Sequence, residues 1–110
     1  MLKKIKKIFY RSIMSNDISY DAAKKMLREE NGILIDVRSK QEYEEGHLPT
    51  AVNISLYDIK KKIESVVPNK NKLIVVCCSS GNRSKQAKQI LENTGYQEVY
   101  NLKGGLDAIF

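Results

Sequence analysis

Leu73-Ile74-Val75-Val76-Cys77 is an unbroken apolar run of strand length. A strand that is apolar at successive positions is covered on both faces, as in a parallel sheet lying between helices. The run delivers the chain into a short polar loop, Cys78-Ser79-Ser80-Gly81-Asn82-Arg83, and a helical pattern then runs from Ser84 to Thr94. Strand, loop and helix in that order predict an α/β unit with a cysteine beyond the carboxyl end of a strand, where open α/β sheets keep their sites. Backbone N–H groups of such a loop can aim at one point, and the helix N-terminus adds positive potential there. The arrangement suits a cysteine nucleophile carrying a negatively charged adduct, the thiolate being the reactive form.

The rest of the chain repeats this alternation. Ser19 is a good N-cap, with Ala22, Ala23, Met26 and Leu27 at helical spacing before Asn31-Gly32. Ile33-Leu34-Ile35-Asp36-Val37 reads as a strand. Ser39 and Glu42 have the spacing of a capping box for a short helix through Glu45. After the turn Gly46-His47-Leu48-Pro49-Thr50, Ala51 to Ile54 reads as a strand. Leu56 to Val67 reads as a helix, with Leu56, Ile59, Ile63, Val66 and Val67 inward, until Pro68-Asn69 breaks it. Glu98 to Leu102 reads as a further strand, and Gly104-Gly105 turns into a last short helix, Leu106 to Phe110. Four strands and a fifth around Ile18, separated by helices, predict a mostly parallel five-stranded sheet with right-handed crossovers.

At 110 residues the chain predicts one domain over 15–110. Its two cysteines are adjacent, and a bridge between neighbours would close a strained ring, so no disulfide framework is expected. Two adjacent thiols and a lone histidine, His47, also make a poor zinc site. Neither metal nor cofactor is expected, and the free thiols point to a reducing, cytoplasmic compartment. Of the net charge of +6, Lys3, Lys4, Lys6, Lys7 and Arg11 carry five charges in a basic extension, residues 1–14, that holds no acid. The near-neutral remainder argues against a nucleic-acid surface. The extension lacks the features of a signal peptide. It reads as a frayed or locally packed tail, or as a short amphipathic helix able to make a weak membrane-surface contact.

The chain resembles the rhodanese family of sulfurtransferases, of the single-domain type. The resemblance rests on an ordered set: Leu34-Ile35-Asp36-Val37-Arg38, Glu42-Tyr43, Gly46-His47-Leu48-Pro49 with Ala51-Val52-Asn53-Ile54, Val75-Val76-Cys77-Cys78 with Gly81-Asn82-Arg83-Ser84, Gly95-Tyr96 and Gly104-Gly105. It implies an α/β fold with a five-stranded parallel sheet flanked by helices. It also implies that Cys78 takes a sulfane sulfur from a donor such as thiosulfate or a persulfide and passes it to cyanide or a thiol. Ser79, Ser80, Gly81, Asn82 and Arg83 would surround that sulfur. A protein bearing a persulfide is a further implied donor. Two positions depart from the family pattern: Ser79 stands where relatives often carry a basic residue, and Ile109 where they often carry tryptophan.

Several neighbours of the motif have plainer readings. The strand period turns Cys77 away from Cys78, as a packed, inactive thiol. Asp36 and Arg38 support the site by pairing with each other or with loop backbone rather than by direct chemistry. His47 holds its turn by a hydrogen bond, and Tyr43 is a core-edge aromatic. Two other functions compete with turnover: a sulfur-relay or docking module, and a phosphatase or arsenate reductase. Loops that hold a tetrahedral oxyanion generally place their arginine six residues after the cysteine. Arg83 comes five after Cys78, which argues for one extra sulfur and against phosphate.

Overall fold

The computed structural model describes residues 16–110; readings that fall on residues 1–14 lie outside the described residues. Five parallel strands form one sheet: β1 (Asp17–Ile18), β2 (Ile33–Asp36), β3 (Val52–Asn53), β4 (Leu73–Cys77) and β5 (Glu98–Leu102), in the order β1-β5-β4-β2-β3. The central strand is β4, pairing Ile74 with Ile33 on one side and with Val99 on the other. Every residue of it is buried, as its unbroken apolar run requires.

Successive side chains of β4, and of Cys78 just beyond it, feed two separate cores. Ile74, Val76 and Cys78 face Ile59 and Ile63 of α3 (Ile59–Val66) and Ala87 and Leu91 of α4 (Asn82–Asn93). Leu73, Val75 and Cys77 face the opposite way, toward Ala23 of α1 (Tyr20–Glu29), Leu48, Ala51 and Leu106. This is the two-residue period of a strand, and it makes a sandwich of helix, sheet and helix. A fully buried isoleucine such as Ile63 stabilises the fold by roughly 1.5–3 kcal/mol. Among the described residues no helix is long and apolar enough to cross a membrane.

Local signals set the helix starts. The Ser19 hydroxyl accepts from the Ala22 N–H at the start of α1. The capping box of α2 (Lys40–Glu45) is complete, with Ser39 and Glu42 bonded in both directions. Several boundaries differ from the sequence expectations; β2 and β3 are shorter than read, and α4 ends at Asn93. α3 starts at Ile59 and not Leu56, because the Leu56 N–H donates to the Val37 carbonyl and Ser55–Asp58 close a turn instead. Val66 is then turned outward, while Val67, past the helix end, is buried. α4 starts two residues early, at Asn82, after Gly81. The last helix is one 3-10 turn, Leu106–Ala108, held to the loop after β4.

Candidate active site

The chain leaves β4 at Cys77 and turns through Cys78-Ser79-Ser80-Gly81 into α4. The turn brings the start of α4 over the Cys78 sulfur. Sγ accepts from the Gly81 N–H at 3.1 Å and from the Ser84 N–H at 3.3 Å. Both donors belong to the helix N-terminus, where backbone N–H groups lack helical partners. Gly81 reaches its position with φ +102°, in a region that side-chain-bearing residues rarely adopt. The Ser84 hydroxyl lies 3.3 Å from Sγ and donates to the Gly81 carbonyl at 3.1 Å. The sulfur thus sits among donors able to hold an anion, in a pocket of backbone and not of charged side chains.

A second layer fixes the loop from the carboxyl end of β5. The Cys78 carbonyl accepts from the Leu106 N–H at 2.8 Å, and the Ser79 carbonyl from the Asp107 N–H at 2.9 Å. Gly105 makes this approach possible. A Cβ there would lie 2.5 Å from each of the two carbonyl oxygens, and its φ of +64° suits glycine. Gly105, the second of the paired glycines, therefore serves the cysteine loop directly.

The third layer is electrostatic. Arg83, in the first turn of α4, forms a two-pronged pair with Glu42 of α2, at 2.7 Å and 3.0 Å. Its Nη2 also donates to the Ser79 hydroxyl at 3.3 Å. The Arg83 hydrogen bond lowers the Glu42 carboxyl to about 2, with help from its Ser39 contacts and against its partial burial. Hydrogen bonding to Glu42 likewise raises Arg83 above its ordinary value. Arg83 also borders a groove of about 770 Å³ that Val37, Tyr43, Leu56 and Tyr57 line in part.

Of the residues expected to surround the sulfur, Gly81 does so through its N–H. Ser79 and Arg83 join the ion-pair layer, while Ser80 on the loop and Asn82 at the start of α4 are exposed. The Ser84 contacts were missed, although a helix N-terminus after Gly81 would have signalled them. The only local role that the sequence signals for Glu42 is capping, and its reach across 41 residues has no local signal. The sulfur is shut off from solvent: Cys78 is 1% exposed, since α4 and the Leu106 turn close over it.

Cys77 lies on the opposite face of the sheet, and burial, with the nearby Asp36, pushes its thiol up to about 12. Asp36 and Arg38 are buried and pair with each other, with Nη2 to Oδ2 at 2.8 Å. The same Nη2 donates to the Gly46 carbonyl at 2.6 Å, tying β2 to the end of α2. His47 is exposed. Its Nδ1 lies 2.8 Å from the Tyr43 carbonyl, and its ring stacks on Tyr43 at 3.7 Å.

A cysteine beyond the central strand, capped by helix N–H groups, is the arrangement the resemblance implies, and comparison with known proteins gives the same family. The Rhodanese-like domain family matches residues 19–110. The chain belongs to the rhodanese family. Thiosulfate sulfurtransferase PspE of Escherichia coli is 44% identical over 75 residues, which cover 68% of this chain and 71% of that rhodanese. Thiosulfate sulfurtransferase GlpE of Pseudomonas syringae is 35% identical over 81 residues, 74% of each chain. A solved structure of a "rhodanese with anions from E. coli" superposes with a TM-score of 0.63 at 41% identity, covering 68% of this chain and 87% of that one. The match also extends to parts of longer proteins; the chain spans 27% of a Buchnera aphidicola tRNA uridine(34) hydroxylase.

Proposed function

We propose that this rhodanese-type sulfurtransferase carries sulfane sulfur as a persulfide on Cys78. The Cys78 thiolate attacks the outer sulfur of a donor, forming an S–S bond as the donor's own S–S bond breaks. From thiosulfate the leaving group is sulfite, which keeps the bonding electron pair; from a persulfide it is a thiolate. An acceptor then attacks the carried sulfur. Cyanide leaves as thiocyanate and a thiol leaves as a persulfide, and the Cys78 thiolate is restored. No separate base is required, because the nucleophile and the leaving groups are anions. The observation that supports this reading best is the pair of N–H groups, from Gly81 and Ser84, aimed at Sγ. They complement the charge on thiolate and persulfide alike.

The donors, the acceptors and the reducing, cytoplasmic setting belong to this reading, in which the loop Ser79–Arg83 frames the place where the donor delivers its sulfur. Residues 1–14 form a separable basic extension in it, with at most a weak membrane-surface role. The test is mass spectrometry after incubation with thiosulfate. The peptide holding Cys78 gains about 32 Da, one sulfur on a thiolate, and loses it on adding cyanide as thiocyanate appears. The Cys78→Ser protein does neither, because serine cannot form the persulfide. Loading from a cysteine desulfurase with no cyanide turnover would favour a relay. Turnover by Cys78→Ser would overturn the assignment.

A further inference from the structure

The charge of Arg83 is spoken for. Its guanidinium meets the Glu42 carboxylate with two hydrogen bonds, and Glu42 remains ionised through the ordinary carboxylate range. Both side chains are a little over one-third exposed, so a donor approaching from solvent meets the pair and not a bare cation. Among the described residues, other cations near this region also have carboxylate partners: Arg38 with Asp36, Lys40 with Glu44 and Lys62 with Asp58. Arg83 contacts the Ser79 hydroxyl, one residue from the nucleophile, and lies within electrostatic reach of Cys78. A net positive charge at this place would attract a doubly charged donor more strongly than a singly charged one, since Coulomb attraction scales with the charge.

We infer that Glu42 sets the charge preference of the donor site: by neutralising Arg83 it biases the site toward singly charged sulfane donors, such as thiol-borne persulfides, over the thiosulfate dianion. The inference rests on the sulfurtransferase reading above and concerns the preference within it. Glu42 acts through Arg83 and is a positioning residue.

The test compares two donors with the same reacting bond, thiosulfate and methanethiosulfonate. Each gives its outer sulfur to Cys78 and leaves as a sulfur oxyanion, sulfite or methanesulfinate, and they differ by one unit of charge. The readout is the ratio of kcat/KM for thiosulfate to that for methanethiosulfonate, at low ionic strength with cyanide as acceptor. Glu42→Gln keeps a side chain that can complete the capping box and removes the charge. It raises the ratio about fivefold, the scale of one extra charge–charge attraction across several ångströms of partly exposed protein. The rise shrinks with added salt. Arg83→Gln leaves the carboxylate uncompensated and lowers the ratio. The double variant returns it to within about twofold of the original.

A merely structural role for Glu42 would slow both donors together and leave the ratio and its salt dependence alone. A ratio that stays flat in both single variants overturns the inference, as does a raised ratio that survives in the double variant. Failure of the underlying reading looks different: neither donor then leaves a sulfur on Cys78.

Discussion

Cys77 and Cys78 are adjacent in the chain and equally shut off from solvent, at 0% and 1% exposure. Their surroundings nevertheless have little in common. Cys77 is the last residue of a strand, packed among Leu34, Val75 and Leu102, and burial pushes its thiol up to about 12. Cys78 is the first residue of a loop, and its sulfur receives N–H groups from Gly81 and Ser84. Exposure therefore does not separate Cys77 from the proposed nucleophile, Cys78. What separates them is whether backbone donors converge on the sulfur, and one residue of strand period decides which face of the sheet each thiol meets.

The comparison breaks most completely at Gly105, which lets the second layer close on the Cys78 loop. Gly105→Ala drives a methyl group to within 2.5 Å of the Cys78 and Ser79 carbonyl oxygens at a φ of +64°. The expected loss is about 3 kcal/mol of stability, read by urea denaturation, together with slower sulfur loading of Cys78. A variant with unchanged stability and loading would show that the Leu106 turn does not position the nucleophile.

The other side of the comparison is tested at Cys77. Cys77→Ser costs on the order of 1–3 kcal/mol, because the hydroxyl enters an apolar pocket, and sulfur transfer persists. Alkaline pH sharpens the same point. The thiol titrates near 9 when unfolded and at about 12 when folded. Below about pH 9 both states keep the proton and the group contributes no pH dependence. Between 9 and 12 the unfolded chain loses its proton first, so stability falls as pH rises. Subtracting the denaturation profile of Cys77→Ser isolates this decline. If the two profiles run parallel from pH 8.5 to 10.5, Cys77 is not held as a buried neutral thiol.

His47 gives the smallest effect. It is tied to Tyr43 by ring stacking and by the carbonyl contact. His47→Asn is expected to lower the melting temperature slightly and to leave sulfur uptake within a few-fold. A loss of about a hundredfold, the scale of a missing general acid or base, at unchanged melting temperature would mean that the amide cradle needs a proton carrier after all.

The sequence by itself determined what local chemistry decides. An unbroken Leu73–Cys77 run specifies a strand buried on both faces, the alternation of strands and helices specifies a parallel sheet, and Ser19 and Ser39 with Glu42 specify helix starts. The same reading put Cys78 beyond a strand end and turned Cys77 away from it. Tertiary structure decided the rest, because each remaining feature joins residues far apart in the chain. Glu42 answers Arg83 only because β2 and β4 are neighbours and bring α2 beside the start of α4. Gly105 answers Cys78 only because β5 runs alongside β4 and ends at the same edge. The burial of Cys78, the short final turn and the late start of α3 follow from backbone groups satisfied across the sheet's edge, which no sequence window contains.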